Sequence, residues 1–191
     1  MTAPTEPTDT PNATRLWTTR ELAGRALWYA VEGTVFRHSP RTLYGFRTWL
    51  LRRFGADVHP TARLRPTVTI EVPWHLSIGE HTMVGDYAIL YCLGRVRIGA
   101  RCTVSQYAHL CAGTHDHTQP AFPLIKADIT LGDDVWIAAD AYVGPNVSVG
   151  DGVVLGARSS AFGDLPPWTI CVGLPARPVK PRVLQGRSPG A

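Results

Sequence analysis

The sequence predicts an all-β protein, a left-handed parallel β-helix of hexapeptide repeats with a short helical cap at its N-terminal end. Aliphatic residues recur at every sixth position in the C-terminal half, and a small or β-branched residue stands four places after each one. A period of six fits neither an α-helix nor an alternating strand. It fits a short strand and a tight corner, repeated three times per coil. The aliphatic series is Leu131, Ile137, Val143, Val149 and Leu155, and the small series is Val135, Ala141, Val147, Val153 and Ser159.

The same pattern runs through the first half of the chain, so roughly six coils of about 18 residues should stack with each interior layer covered by the next. Glycines such as Gly79 and Gly150 follow many of the aliphatic residues, and we expect them to supply the positive φ that the corners need. A β-sandwich would show turns every 8 to 12 residues instead. The earlier aliphatic positions are Val58, Leu64, Ile78, Val84, Ile98, Val104 and Leu110, and the small positions are Ala62, Val68, Thr82, Ala88, Cys102, Ala108 and Thr114.

The length of 191 residues fits one domain with four segments. We expect a disordered polar tail at 1–15, a helical cap at 16–56, the β-helix at 57–170 and a C-terminal extension at 171–191. The cap segment mixes aromatic residues with arginines. Its favoured interpretation is a cover for the open first coil, which solenoids need for solubility. The alternative is an interfacial patch that reaches a lipid-linked sugar.

Composition and charge exclude several classes of protein. The net charge of +4 is mild, and the basic residues form no dense stripe of the kind that binds nucleic acid. The four cysteines show no CxxC spacing, so neither a zinc knuckle nor a redox pair is indicated. The first residues lack a signal-peptide pattern, and no apolar run is long enough to cross a membrane. We therefore expect a soluble cytoplasmic protein with free thiols.

One large break interrupts the repeat, and breaks of this kind commonly carry function. After the Leu110 unit, a loop at 116–124 must leave the coil and return, with His115 at its base. An imidazole titrates near neutrality, which suits it to take a proton from a hydroxyl. On position alone, a solvated surface histidine is the simpler interpretation, and the same holds for His81 and His117.

The segments AGTHDH (112–117), LGDDVWIAADAYVGPNVSVGDGVVLGARS (131–159) and VGLPARPVKPR (172–182) resemble the hexapeptide-repeat acetyltransferases. That family includes galactoside, maltose and chloramphenicol-type enzymes. The branch of colanic-acid and related exopolysaccharide biosynthesis also has an aromatic, arginine-rich segment like residues 25–55. The resemblance implies transfer of an acetyl group from acetyl-CoA to a sugar hydroxyl, without a metal, in a homotrimer with clefts between adjacent prisms.

The resemblance also implies roles for single residues. His115 matches the general base, and Trp136 matches a tryptophan that walls the acceptor and acetyl region. The backbones at Ala139 and Ala157 match positions that bond the pantetheine arm of CoA, and an N–H near Ala139 would stabilise the oxyanion. Cations that match those near the CoA 3′-phosphate are Arg177, Lys180 and Arg182, because guanidinium and ammonium groups pair strongly with phosphate.

The chain departs from the family pattern at two places. Gly85 stands where several sugar acetyltransferases have an acceptor-orienting asparagine, and Phe162-Gly163 stands where they commonly have Thr-Lys. The first departure puts a galactoside-like or maltose-like acceptor in doubt. Asp86 and Tyr87 are the nearest polar candidates to replace the missing acceptor contact.

Two other functions compete with acetyl transfer. A γ-type carbonic anhydrase would bind zinc through three histidines, for which His81, His115 and His117 are the candidates. A non-enzymatic scaffold would need only the bare repeat. Trp136 and the C-terminal motif disfavour the first, and the loop after His115 disfavours the second. No nucleic-acid partner is expected, and peripheral membrane contact is the less favoured reading.

Overall fold

The computed structural model describes residues 17–184. The predicted tail at 1–15 and the end of the predicted C-terminal extension, 185–191, lie outside the described residues. Within them, short strands wind into a left-handed parallel β-helix of about six coils, as the sequence predicts. Each coil contributes one strand to each of three sheets, which form the three faces of a prism.

The strands are numbered in chain order, and successive strands pass from sheet I to sheet II to sheet III. Sheet I contains β1 (Asp57–Val58), β4 (Leu76–Ile78), β7 (Val96–Ile98), β12 (Ile129–Leu131) and β15 (Ser148–Val149). Sheet II contains β2 (Arg63–Leu64), β5 (Met83–Val84), β8 (Thr103–Val104), β13 (Trp136–Ile137), β16 (Val154–Leu155), β18 (Thr169–Gly173) and β19 (Ala176–Pro181). Sheet III contains β3 (Thr69–Ile70), β6 (Ile89–Tyr91), β9 (His109–Cys111), β14 (Tyr142–Val143) and β17 (Ser160–Ala161).

The pairing within each sheet is parallel, except that β19 runs antiparallel to β18. The edges of the prism are named here by the sheets they join: the I–II, II–III and III–I corners. A 3₁₀ helix (Pro73–His75) widens one III–I corner. At another III–I corner the chain leaves the coil as an antiparallel hairpin of β10 (Gly113–His115) and β11 (Leu124–Lys126). This excursion is wider than the predicted loop at 116–124.

The residues at the aliphatic and small positions of the hexapeptide repeat fill the interior of the prism. All the aliphatic positions named above are buried, and so are the small positions, with one exception. Thr114 is exposed, because it already belongs to β10 and the chain has left the coil before it. The prediction that Thr114 points inward is therefore wrong.

The role predicted for the glycines is also wrong. Most corners with positive φ are formed by other residues, such as His81 (φ 56°) and Asn146 (φ 60°). Gly79 and its equivalents instead allow close stacking of coils. A Cβ on Gly79 would lie 2.7 Å from the backbone N of Ala100 in the next coil.

Two helices and a short π-helix precede the first coil: α1 (Thr19–Val31), the π-helix (Glu32–Phe36) and α2 (Tyr44–Arg53). A capping box between Thr18 and Glu21 begins α1 by satisfying two of its free N–H groups. Among residues 17–184, no helix has the length and apolar character needed to cross a membrane.

These helices supply hydrogen bonds that a preceding coil would otherwise supply. Trp28 donates its Nε1–H to the Ile70 carbonyl at 2.6 Å, and Glu32 accepts from the Ile70 N–H at 2.6 Å. Arg47, fully buried, donates to the Leu64 carbonyl at 2.7 Å. Edge strands expose unpaired N–H and C=O groups, so the helices cover the open end of the solenoid. This arrangement supports the cap interpretation.

Candidate active site

His115 ends strand β10 and faces solvent on the hairpin at the III–I corner. Its Nδ1 lies 2.8 Å from the carbonyl oxygen of Phe122, and its ring stacks on the Phe122 ring at 4.4 Å with an interplanar angle of 7°. A carbonyl only accepts, so Nδ1 carries the proton, and the neutral ring bears its lone pair on Nε2. The hairpin therefore fixes the tautomer that a general base requires.

Hydrogen bonds within the turn hold this hairpin in shape. The Asp116 carboxylate accepts from the backbone N–H of Thr118 at 3.0 Å, from the Thr118 hydroxyl at 2.6 Å and from the Gln119 amide at 2.7 Å. The two Thr118 hydrogen bonds lower the pKa of Asp116 most, and the Gln119 hydrogen bond lowers it further. The Asp116 N–H also donates to the Pro123 carbonyl at 3.0 Å. These turn hydrogen bonds position His115, together with its cross-strand partner Leu124, which packs against the core.

A cavity of about 430 Å³ opens on sheet II beside the II–III corner of the first three coils. Two predicted acceptor residues, Asp86 and Tyr87, line it. The Tyr87 ring stacks on Tyr107 of the next coil, with centroids 5.2 Å apart and planes 8° apart. The lining of the cavity thus combines stacked aromatic rings with charged side chains.

Asp86 is an ion-paired carboxylate. Arg41 donates to its two oxygens at 3.3 and 2.9 Å, Thr67 donates at 2.8 Å, and the Nε of Arg65 lies 3.7 Å away. Burial raises the pKa of Asp86, but the Thr67 and Arg41 hydrogen bonds and the two arginine charges outweigh it, so the pKa lies below its usual value. Asp86 is therefore ionised at neutral pH and suited to binding rather than to proton transfer.

Trp136 lies beside this cavity on β13, with 45% of its surface exposed. Its Nε1–H donates to the Ser105 hydroxyl at 3.0 Å, and Ser105 lines the cavity. The register of sheet II places Trp136 next to Thr103, another lining residue. The hydrogen bond fixes the indole ring at the rim, where it can wall a bound acceptor.

Ala139 and Ala157 lie at the II–III corner on successive coils. The corner residues of successive coils stack in a column along this edge of the prism, and Asp86 and Tyr87 belong to the same column. The Ala139 carbonyl accepts from the Arg158 N–H at 3.0 Å, which ties the two corners together. Ala139 is partly exposed and Ala157 exposed. A narrow ligand arm could approach the backbone here, because neither side chain extends beyond Cβ.

The three predicted phosphate-binding cations do not converge. Strand β19 begins near the II–III corner, where Arg177 pairs in register with Val172, and it runs back across sheet II through Lys180. Arg182 follows at the I–II corner and donates to the carbonyls of Asp134 at 2.6 Å and Gly152 at 3.0 Å. The guanidinium of Arg182 therefore anchors the C-terminal strand, and Arg177 lies nearest the column of Ala139 and Ala157.

The single chain places the predicted residues on different edges of the prism. His115 is at the III–I corner, whereas Asp86, Tyr87 and Ala139 are at the II–III corner. The histidines considered for zinc are also apart, because His81 lies at an I–II corner and His117 is on the hairpin. In the described part of the chain, no group of three or more His, Cys, Asp and Glu side chains is arranged to hold a metal ion.

Sequence reasoning missed the arginines of the cavity and the ring partner of His115. Arg63 and Arg65 flank buried Leu64 on β2, so the alternation of outward-facing residues could have identified both. Arg41 comes from the cap and has no local signal. Phe122 lies in the predicted loop, but its ring contact with His115 depends on the antiparallel pairing of β10 and β11.

Comparisons with known proteins agree with the fold. The family model for the bacterial transferase hexapeptide (six repeats) matches residues 128–160. The chain is 45% identical over 157 residues to the putative colanic acid biosynthesis acetyltransferase WcaF of Escherichia coli strain K12, covering 82% of this chain and 86% of that protein. It is 28% identical to the galactoside O-acetyltransferase of the same organism, over 84% of this chain and 78% of that protein.

Among solved structures, the chain is similar to a maltose O-acetyltransferase from Clostridium difficile 630. The TM-score is 0.78 at 21% identity, with 87% of this chain and 90% of that chain covered. A galactoside acetyltransferase in complex with coenzyme A gives a TM-score of 0.78 at 23% identity, with 86% of this chain and 83% of that chain covered. At these identities the structures support the fold alone.

Proposed function

The chain belongs to the hexapeptide-repeat acetyltransferase family, and from that premise we propose that it acetylates a sugar hydroxyl with acetyl-CoA in polysaccharide or glycoconjugate biosynthesis. The observation that carries the proposal is the fixed tautomer of His115, whose Nδ1–H is bound to the Phe122 carbonyl. The 45% identity to a putative colanic acid biosynthesis acetyltransferase supports a polysaccharide role.

In this mechanism Nε2 of His115 takes the proton of the acceptor hydroxyl while the oxygen attacks the thioester carbonyl. The tetrahedral oxyanion is stabilised by a backbone N–H near Ala139. Its collapse breaks the carbon–sulfur bond, and the leaving thiolate takes the proton from His115. No acyl-enzyme forms, so the rate depends on how well the protein holds both substrates in line.

We assign the donor site to the II–III corner and the acceptor site to the adjoining cavity. Ala139 and Ala157 would bond the pantetheine arm through their backbones, and Arg177 and Lys180 would lie nearest the phosphates of CoA. Trp136 would wall the acetyl group at the rim of the cavity. Arg182 has a lesser part in this proposal, because its guanidinium already caps two corner carbonyls.

A complete site requires a second copy of the chain, and we propose a homotrimer. If three prisms pack with sheet III toward a three-fold axis, the III–I corner of each prism meets the II–III corner of its neighbour. His115 of one protomer then faces the cavity of the next. Sheet III supports this packing, because Tyr91, His109 and Tyr142 cluster on its outer surface and the buried Nε2 of His109 has no partner within the described chain.

We further propose that the enzyme works in the cytoplasm. All four cysteines are free thiols, which fits a reducing compartment. Burial raises the pKa of Cys92 to about 12, so this thiol is inert and has a packing role rather than a redox role.

Thiol release from acetyl-CoA, measured across a panel of sugars and nucleotide sugars, tests this function. We expect His115→Ala to lose at least about 100-fold in kcat, because general-base catalysis contributes about that much or more. His117→Ala, on the same hairpin, is the matched control and should keep its rate. Near-wild-type turnover by His115→Ala would rule out the mechanism.

A further inference from the structure

We propose that the acceptor is a sugar that carries a phosphate or diphosphate, and that Arg41, Arg63 and Arg65 bind this group in the cavity on sheet II. The inference rests on the proposed acetyl transfer and specifies the acceptor class of the same site. It comes from the charge, shape and position of the cavity.

The charge of the cavity matches a phosphate better than a carboxylate. Arg41, Arg63, Arg65 and Asp86 are the charged side chains that line it, so its wall carries an excess of two positive charges. Phosphate monoesters and diphosphates carry about two negative charges near neutral pH. A uronic acid carries one, and a neutral glycoside would leave both positive charges uncompensated.

Each guanidinium is held in place by contacts that leave donors for a ligand. Asp86 orients Arg41 and Arg65, and the Tyr44 hydroxyl accepts from Arg65 at 2.7 Å. Arg63 stands over the Tyr44 ring at 5.9 Å and forms no ion pair with the carboxylates of residues 17–184. Guanidinium presents five N–H donors in a fixed fork, which suits bidentate contact with phosphate oxygens. Tyr44 and Asp86 thus preorganise the cluster.

The position of the cluster fits a sugar phosphate that reaches the reaction centre. Along sheet II, Arg63 pairs with Met83, Met83 with Thr103 and Thr103 with Trp136. Three strand spacings put the backbone of Arg63 roughly 14 Å from that of Trp136, a separation that the long arginine side chain, the phosphate and the sugar ring would span together. A glycosyl phosphate can lie along this line, with its phosphate in the first coil and its hydroxyl beside Trp136. The exposed faces of Tyr87 and Tyr107 would flank the sugar ring.

A direct binding measurement tests the arginine cluster without requiring turnover. Inorganic pyrophosphate is titrated calorimetrically into the full-length protein with saturating CoA present, so that the phosphate site of the donor is occupied. We expect Arg63→Met to weaken pyrophosphate binding at least 10-fold. Arg97→Met is the matched control, since Arg97 is an exposed arginine on sheet I that pairs with Asp128, and it should bind normally. Absence of pyrophosphate binding, or equal binding by Arg63→Met, would overturn the inference.

Acceptor kinetics give a second readout. For each of several hexoses, the methyl glycoside, methyl uronide, 1-phosphate, nucleoside diphosphate and alkyl diphosphate forms are compared by thiol release. We expect the phosphorylated forms to have a KM at least 10-fold lower than the methyl glycosides, with Arg63→Met raising KM for the phosphorylated forms only. The nucleoside and alkyl diphosphates distinguish a soluble carrier from a lipid carrier. A preference for methyl glycosides or uronides would contradict the inference.

The two proposals fail in different ways. If CoA does not bind and no acceptor is acetylated, the acetyltransferase function is wrong, and the pyrophosphate titration without CoA still decides whether the arginine cluster is an anion site. If neutral glycosides are acetylated with no advantage for phosphorylated ones, acetyl transfer stands and the phosphate inference is wrong.

Discussion

Phe122 orients His115 through two contacts. Its carbonyl oxygen accepts from Nδ1, and its ring stacks on the imidazole. Phe122 makes both contacts with a φ of 46°, which is unfavourable for a residue with a bulky side chain. Strained backbone of this kind is often kept at functional sites. We interpret Phe122 as a positioning residue for the base.

We expect Phe122→Ala to lower kcat by about 3- to 10-fold, because ring stacking contributes about 0.5 to 1.5 kcal/mol and the carbonyl contact remains. The KM for acetyl-CoA should stay unchanged. Steady-state kinetics with the best acceptor of the panel provide the measurement. Trp49→Ala, which removes an exposed ring of the cap, is the control. Equal effects of the two substitutions would argue against a positioning role.

Glycines in the coil give a second prediction about single residues. A Cβ on Gly79 would lie 2.7 Å from the backbone of the next coil, whereas a Cβ on Gly163 would meet nothing within 4 Å. We expect Gly79→Ala to reduce the free energy of unfolding by about 1 to 3 kcal/mol, because the stacked backbone must move apart. Gly163→Ala should change it by less than about 0.5 kcal/mol. Denaturant unfolding compares the two, and equal stabilities would refute the close-stacking explanation.

Among the structural elements, the cap depends on buried polar groups that bond the first coil. Glu32 accepts from the Ile70 N–H but is itself buried. Burial raises the pKa of Glu32, and the nearby Glu71 charge adds to this, while the Ile70 hydrogen bond and the Arg37 charge offset part of the rise. The folded state therefore holds this proton more tightly than the unfolded state does.

This pKa shift predicts how stability changes with pH. The contribution of protonated Glu32 to stability is fully present below the unfolded pKa of about 4.5 and is lost as the pH rises through the raised pKa. Glu32→Gln keeps an acceptor for the Ile70 N–H without the charge. We expect the variant to melt at a higher temperature than wild type at pH 7, with the difference disappearing toward pH 4.

Calorimetric melting between pH 4 and 8 measures this effect. Glu80→Gln, at an exposed glutamate 3.7 Å from Arg101, is the control and should show no such trend. A Glu32→Gln stabilisation that is equal at all pH values would indicate that burial of the charge is not its cause.

For the whole molecule, the separation of His115 from the cavity predicts a site shared between protomers. His115→Ala and Trp136→Ala chains should each be nearly inactive alone. Mixed and reassembled in equal amounts, they should recover about a quarter of wild-type activity, because about one cleft in four combines an intact His115 with an intact Trp136. Activity after mixing that equals the sum of the separate variants would place the whole site in one chain.

The solenoid was predictable from the sequence, because its period is local. An inward-facing residue every six positions buries apolar surface in each coil, so the aliphatic and small series identify the core without knowledge of distant contacts. The function of the corners was less predictable. Glycine permits both positive φ and close approach, and only the stacked coils show that Gly79 serves the second purpose.

The sequence by itself determined the β-helix, the break at His115 and the family motifs around Trp136. Tertiary structure decided which edge each group occupies, that Arg182 caps corner carbonyls, and that Arg41 of the cap meets Asp86 forty-five positions later. The physical reason is the range of the interactions. Burial follows a short repeat along the chain, whereas ion pairs and cavities form between segments whose proximity depends on how the coils stack and where the cap lies.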